Sequence, residues 1–190
     1  MRLLMELAYE QELVKKAKES LKAFDKIYEY YLPKIYGYIF NRTFSKEISE
    51  DVVSQTFIKA MTNIKSFKYR GYSFGAWLYR IAHNALMDYY RKNPSIETGD
   101  AALNQEDPDV DCKAENDEMK SVVLKALRKI PSAYQEILSL KFFEELSNKE
   151  IADIIGCKKE TLAVKLHRSL KAFKKVLIKN KYLNILSIFS

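Results

Sequence analysis

The chain is poor in cysteine, glycine and proline, and each scarcity argues against a class of protein. Only Cys112 and Cys157 are present among 190 residues, so no disulfide framework or cysteine–histidine metal site is expected. Five glycines and four prolines, with no alternation of β-branched and polar residues, leave almost no strand signal. No window approaches 18 consecutive apolar residues, so we expect no membrane insertion. Glutamates at positions 6, 10 and 12 argue against a secretory signal, and the cytoplasm is the expected compartment.

The charge of the chain is divided into three blocks. Residues 1–92 carry 16 basic against 10 acidic side chains, residues 93–118 carry 1 against 9, and residues 119–190 carry 15 against 6. The middle block contains two prolines and little helical periodicity, which predicts an acidic flexible linker. We therefore predict two small helical domains, 1–92 and 119–190, joined by the linker 93–118. The basic blocks favour nucleic acid, although a merely solvated lysine-rich surface explains them equally well.

Helical spacing of apolar residues runs through the first domain. It continues from Leu21 to Ile39, with Pro33 predicted near a helix start. The next helix has Ser45 or Ser49 as its N-cap. A further helix, 74–92, divides into stripes. One stripe predicts core and consists of Leu78, Ile81, Ala82, Ala85 and Tyr89. A second, polar stripe contains Trp77, Arg80, Asn84, Asp88 and Arg91, and a helix that only packs does not require it.

A helix-turn-helix is the most specific pattern in the chain. Ser147 and Glu150 are spaced as a capping box, and Gly156 is placed to end the short helix in a left-handed conformation. Ala152 is small where a second helix must cross, and Leu162 is placed to pack back. We also predict a preceding helix from about Ser132 to Phe143, after one that Pro131 ends.

The last helix of this motif separates into two faces. The apolar face consists of Leu162, Leu166, Leu170, Phe173 and Leu177. The polar face consists of Thr161, Val164, Lys165, Arg168, Lys171 and Lys175. An ordinary helical hairpin with a solvated lysine face would also show this pattern. The agreement of cap, glycine, small residue and polar face favours a recognition helix in a DNA major groove.

Residues 49–92 and 127–173 together resemble the bacterial sigma-70 family, specifically the small extracytoplasmic-function (ECF) sigma factors. The resemblance covers roughly residues 20–92, as sigma region 2, and 120–178, as sigma region 4. It implies a promoter-specificity subunit rather than an enzyme, with no cofactor. The implied partners are core RNA polymerase, promoter DNA and an anti-sigma factor. Region 2 would dock on the clamp helices of the largest polymerase subunit, and region 4 would contact the flap of the second-largest subunit.

The resemblance also assigns residues to each contact. Polymerase binding is implied for Asp51, Val52, Gln55, Phe57 and Met61, although Ser54 and Gln55 stand where the family commonly has glutamine and glutamate. Reading and melting of the −10 element is implied for Tyr69, Arg70, Tyr72, Trp77, Arg80, Asn84 and Arg91. Basic groups would hold phosphates and aromatic rings would receive an unstacked base. For Trp77, stacking on a base and packing under the preceding loop are both open.

Reading of the −35 element is implied for Lys158, Lys159, Thr161, Val164, Lys165, Arg168 and Lys171. Family members often carry small or capping residues at the turn and a basic residue where this chain has Ala163. A bidentate guanine reader is therefore missing there, and Ala163 or Val164 would instead meet a thymine methyl. We expect a −35 sequence unlike the common family type.

Other functions remain open from the sequence alone. A helix-turn-helix repressor with a dimerising or ligand-sensing first domain would also bind DNA. A nuclease would need a metal site, and Glu47 and Asp51 share a helix face without a third ligand. The apolar segment 182–190 is too short to span a membrane and is expected to dock on the protein itself. Cys157 lies in the predicted turn, where either a structural or a redox role is possible.

Overall fold

Every regular element that the structure describes is helical. The computed structural model describes residues 2–69, 71–94 and 117–180. The first part contains α1 (Arg2–Glu19), α2 (Leu21–Thr43), α3 (Lys46–Asn63), a 3-10 turn (Ile64–Ser66) and α4 (Phe74–Lys92). The second part contains α5 (Asp117–Arg128), α6 (Ser132–Leu138), a π-helical turn (Ser139–Phe143), α7 (Asn148–Ile154) and α8 (Lys159–Lys179). An all-α fold with two helical domains is therefore confirmed within these ranges. Most of the predicted linker and the whole apolar C-terminal segment lie outside them.

The helix ends of the first domain follow local side-chain chemistry, with one exception. Ser45 rather than Ser49 caps α3, because its hydroxyl accepts the backbone N–H of Ile48 at 3.3 Å. Pro33 does not lie near a helix start, as predicted, but inside the single continuous helix α2. A proline there removes one backbone hydrogen bond. The helix continues because buried side chains on both sides of it, including Ile27 and Ile35, fix both halves on the same core.

Two hydrophobic cores hold the chain together. The smaller core lies within the second domain, between α5, α6 and α8, and contains Leu127, Leu138 and Phe173. The larger core begins between α1, α2, α3 and α4 and continues into the second domain. The second-domain members of this larger core are Ile137, Leu140, Leu146, Ile151, Ala152, Ile154 and Leu162. The two domains therefore share one buried apolar core and pack directly against each other.

Two tyrosines of α4 that lie outside both predicted stripes are also buried. Tyr79 is 2% exposed and Tyr90 is 8% exposed, whereas the predicted core residues Ile81 and Tyr89 are only partly buried. The helix therefore has a wider buried face than its sequence pattern predicts. The Tyr79 hydroxyl donates to Glu144 of the second domain, whereas the Tyr90 hydroxyl donates to the carbonyl of Arg42 in α2 at 3.0 Å.

Candidate nucleic-acid and polymerase interfaces

The turn of the predicted helix-turn-helix has the expected geometry. Ser147 and Glu150 form a complete capping box at the start of α7, with the Ser147 hydroxyl accepting the Glu150 N–H at 3.3 Å. Gly156 adopts φ +67°, a left-handed conformation that a residue with a Cβ rarely takes. The backbone N–H of Cys157 then bonds to the carbonyl of Ala152 at 2.9 Å, which closes the end of α7. Cys157 is partly buried and is a free thiol.

The recognition helix α8 presents one apolar and one polar face, as predicted. Leu162, Phe173 and Leu177 are at most 2% exposed and pack into the two cores. All seven predicted −35 readers, from Lys158 to Lys171, are exposed. Their side chains are free to reach a DNA groove without any rearrangement of the helix. Val164 is 51% exposed at the centre of this face, which suits an apolar contact with a base methyl.

An open apolar groove lies between α2 and α3. Its volume is about 680 Å³, and its lining includes Tyr28, Phe57, Ile58 and Met61. Ile58 is 56% exposed and Met61 is 38% exposed, so two large apolar side chains lie together on the surface of one groove. Two of the predicted polymerase-binding residues, Phe57 and Met61, therefore lie on this groove.

The other predicted polymerase-binding residues are divided between surface and core. Asp51 is exposed, and its carboxylate accepts a hydrogen bond from the partly buried Gln55 at 2.8 Å. Val52 is 0% exposed, so its side chain holds α3 on the core and offers no contact to a partner in this conformation. Ile58 and Ser54 were not predicted but line the groove. The apolar residue on the exposed face of an otherwise amphipathic helix is the signal that would have identified Ile58.

The loop of residues 67–73 precedes α4, and we call it the reading loop. Arg70 within it lies outside the described residues. Ser73 caps α4, because its hydroxyl accepts the Ala76 N–H at 3.1 Å. Tyr69 is 39% exposed and Tyr72 is partly buried, so both rings are near the surface. Gly71 has φ +77°, a backbone conformation that favours glycine. The loop therefore presents aromatic side chains around a tight glycine turn.

Trp77 packs under the reading loop. Its ring centroid lies 5.2 Å from those of both Phe67 and Phe74, and its side chain is partly buried. This geometry supports the packing interpretation in the conformation seen here. The ring still lines a cavity of about 660 Å³, together with Lys68, Tyr72 and Arg80. Cations and aromatic rings suit an unpaired base with its phosphate, but two carboxylates of α7 also line this cavity.

The second domain covers part of this −10 surface. Arg80 pairs with Asp153 of α7 at 2.7 Å, and Lys149 lies 4.5 Å from the centre of the Tyr72 ring. Asn84 and Arg91 remain exposed, and Arg91 pairs with Asp88 on its own helix at 2.8 Å. One acidic and one basic side chain of α7 therefore occupy positions at which two of the predicted −10 readers would meet DNA.

Comparison with known proteins decides the family. Residues 27–95 match the family model for sigma-70 region 2, and residues 120–173 match the model for sigma-70 region 4. The chain is 32% identical to the RNA polymerase sigma factor YlaC of Bacillus subtilis over 161 residues, which cover 82% of this chain and 92% of YlaC. The chain belongs to the sigma-70 family.

A second relative identifies the group within that family. The sigma factor is 30% identical over 174 residues to the ECF RNA polymerase sigma-E factor of Haemophilus influenzae, covering 84% of this chain and 90% of that protein. It is an ECF sigma factor, a class of protein that directs transcription initiation and is not an enzyme.

A solved structure shows the same fold. The sigma factor RpoE of Bartonella quintana, in complex with the anti-sigma factor NepR, matches with a TM-score of 0.64 and 22% identity. The match covers 82% of this chain and 97% of RpoE.

A buried polar cluster links the two domains of the sigma factor. Glu136 of α6 accepts hydrogen bonds from Tyr38 at 2.5 Å and from the Nδ1 atom of His83 at 2.7 Å, and it forms an ion pair with Arg42. Burial opposes the charge of Glu136, but Arg42 and His83 outweigh it and lower the pKa to about 2. Sequence analysis missed this cluster, because its members lie on three helices without any local pattern.

Two expectations concern sites of other kinds. Among the residues that the structure describes, no group of three histidine, cysteine or acidic side chains is arranged to hold a metal ion. Within the same ranges, no helix has the length and apolar character needed to cross a membrane. Glu47 and Asp51 share a helix face, as predicted, and the family assignment gives them no catalytic role.

Proposed function

We propose that this sigma factor binds core RNA polymerase through the groove between α2 and α3, melts and reads the −10 element with the reading loop and α4, and reads the −35 element with α8. The two family regions follow each other in this order along one chain. The exposed polar face of α8 is the single observation that carries the DNA-reading part of the proposal. Its seven predicted readers are all exposed, while its apolar face is buried.

The clamp helices of the largest polymerase subunit are the proposed occupant of the α2–α3 groove. Phe57, Ile58 and Met61 line the groove with apolar side chains, and Glu50 and Ser54 add polar groups to its lining. Asp51 and Gln55 remain proposed polymerase contacts on the same helix, outside the groove lining. An anti-sigma factor is a further proposed partner, because the structural match RpoE is described in complex with one. We propose that the protein acts in the cytoplasm, together with these partners. We propose domain boundaries at 1–92 and 119–190, with the linker 93–118 between them.

Run-off transcription with core polymerase on a library of promoter fragments tests this function. Transcripts that start at discrete sites establish the activity and identify both promoter elements. Duplex DNA binding without any binding to core polymerase would instead favour a helix-turn-helix repressor.

Substitutions on α8 test the assignment of residues. Lys165→Ala and Arg168→Ala should each reduce transcription from the identified promoters, because both cations lie on the exposed reading face. Lys174→Ala removes an equally exposed cation that lies outside the predicted reading face, and it should have little effect. Equal losses for all three variants would show general electrostatic attraction rather than reading of the −35 element.

A further inference from the structure

The N-terminal helix α1 holds the reading loop at both of its ends. At the first end, Lys18 donates a hydrogen bond to the carbonyl of Phe67 at 2.5 Å, and its ammonium lies 5.6 Å from the centre of the Phe67 ring. At the other end, the Glu10 carboxylate accepts the backbone N–H groups of Phe74 and Gly75, each at 3.1 Å. Both contacts come from one helix, which precedes the region 2 match at residues 27–95.

The Glu10 carboxylate completes the hydrogen bonding at the start of α4. A helix leaves its first backbone N–H groups without partners inside the helix. Here Glu10 accepts two of them, and Ser73 accepts that of Ala76. A carboxylate at a helix N-terminus is also stabilised by the helix dipole. These contacts fix the direction in which the chain leaves the reading loop and enters α4.

The position of Glu10 is itself fixed by burial and by a phenol. Glu10 is only 9% exposed, and Tyr31 donates its hydroxyl to the same carboxylate. Burial of the ring and the nearby Glu10 charge raise the pKa of Tyr31, so the phenol stays protonated as a donor. Gly75 makes room for this pair, because a Cβ there would lie 3.0 Å from the Tyr31 hydroxyl oxygen and 3.6 Å from a Glu10 oxygen.

We propose that α1 is a brace that preorganises the reading loop for capture of the −10 bases, with Glu10 and Lys18 as its positioning residues. This proposal rests on the function proposed above. A loop that is already held in its binding conformation loses less conformational entropy when it receives a base. The exposed Tyr69 ring lies between the two points at which α1 holds the chain, and it packs edge-on against Phe67 at 4.8 Å. Residues that never touch DNA therefore control how well the loop opens it.

Two variants of α1 test the brace in holoenzyme on a promoter found by the library experiment. Glu10→Gln turns an amide N–H group toward backbone donors, and Lys18→Met removes the donor while keeping the apolar stem. Each should slow −10 melting about tenfold, as measured by permanganate reactivity of −10 thymines. Affinity for core polymerase and for −35 duplex should be unchanged. Glu12→Gln and Lys16→Met are matched controls, because these residues pair with each other on the exposed side of α1, and both should melt at the wild-type rate.

The outcomes separate three explanations. Wild-type melting rates for both test variants would overturn the brace while leaving the proposed function intact. A parallel loss of core affinity, −35 binding and melting would show that α1 only stabilises the fold, which also overturns the proposal. If Glu10→Gln fails to fold, Lys18→Met decides the test, because the hydrogen bond that it removes is only partly buried. Failure of the wild-type protein to start transcripts at any promoter would contradict the proposed function itself.

Discussion

At the scale of single residues, the buried carboxylate of Glu136 shows how one charge is kept inside the protein. Its side chain is 7% exposed and that of its ion-pair partner Arg42 is 5% exposed. Two buried charges are tolerated only when both are paired and hydrogen-bonded. Tyr38 and His83 supply the additional donors. The domain contact therefore contains an ionic cluster whose stability depends on every member.

Acidification should weaken this cluster in a defined range. The pKa of Glu136 is lowered to about 2, below its ordinary value of 4.5, so its contribution to stability is complete above about pH 4.5. The contribution is lost progressively as pH falls from 4.5 toward 2, because the separated domains then bind a proton that the packed protein does not. Urea unfolding of the wild type and of Glu136→Gln across this range should show their difference in unfolding free energy shrinking. A difference that stays constant would contradict this assignment.

Removing the charge at neutral pH should be costly. Glu136→Gln leaves the guanidinium of Arg42 buried without its ion pair, which we expect to destabilise the protein by about 3 kcal/mol. The measurement is the free energy of unfolding in urea at pH 7. Glu29→Gln is the control, because Glu29 pairs with Lys26 on the surface, where both side chains are 66% exposed. An exposed pair of this kind contributes little, and a similar loss in both variants would show that burial is irrelevant here.

At the scale of elements, the helix ends were predictable where their signals are local. The capping box of α7 and the turn at Gly156 are both confirmed, because each depends on residues within one turn of the helix end. Pro33 was wrongly predicted to lie near a helix start. The buried side chains on both sides of it pack into a core to which the whole first domain contributes, and α2 therefore continues across it. The burial of Tyr79 was not predictable from a local pattern. Its hydroxyl donates to Glu144, which is distant in sequence. Sequence patterns predict what a helix does by itself, and tertiary packing decides the rest.

Two glycine-to-alanine substitutions should change the stability of the protein in opposite directions. At both Gly37 and Gly156, an added Cβ would meet no atom within 4 Å. Gly156→Ala must place alanine at φ +67° and should destabilise the protein by about 1 kcal/mol. Gly37→Ala lies inside α2 and should stabilise it by roughly 0.5–1 kcal/mol. Thermal unfolding of both variants checks the pair, and shifts of the same sign would show that backbone conformation does not control the result.

At the scale of the whole molecule, the two domains close over the surface that should meet the −10 element. Some contacts of this closure are exposed ion pairs, such as Arg80 with Asp153, and others are buried, such as Glu136 with Arg42. The shared apolar core adds a hydrophobic contribution that, unlike the exposed ion pairs, is not weakened by charge screening. If α4 reads the −10 element as proposed, DNA and α7 compete for the same face of α4, and promoter binding would require the domains to separate.

A double variant should shift this equilibrium toward separation. Glu136→Gln with Asp153→Asn removes one buried and one exposed contact between the domains while leaving the −10 readers in place. Small-angle X-ray scattering of the free protein should show a larger radius of gyration than for the wild type. Binding of single-stranded −10 DNA to the free protein should also increase. An unchanged radius of gyration in the folded variant would mean that the apolar core alone keeps the domains together.

Glu150 accepts two sets of hydrogen bonds, one within its own domain and one across the domain boundary. One of its oxygens accepts the Ser147 hydroxyl and backbone N–H at 2.8 and 3.0 Å, within α7 itself, while the other accepts the same two groups of Ser73 across the domain boundary. Because each oxygen serves one side, the domains can part without removing the cap at the start of α7. Water then replaces Ser73 on one oxygen, and Ser73 keeps its own hydroxyl on Ala76. The two domains can therefore separate while Glu150 still caps α7 and Ser73 still caps α4.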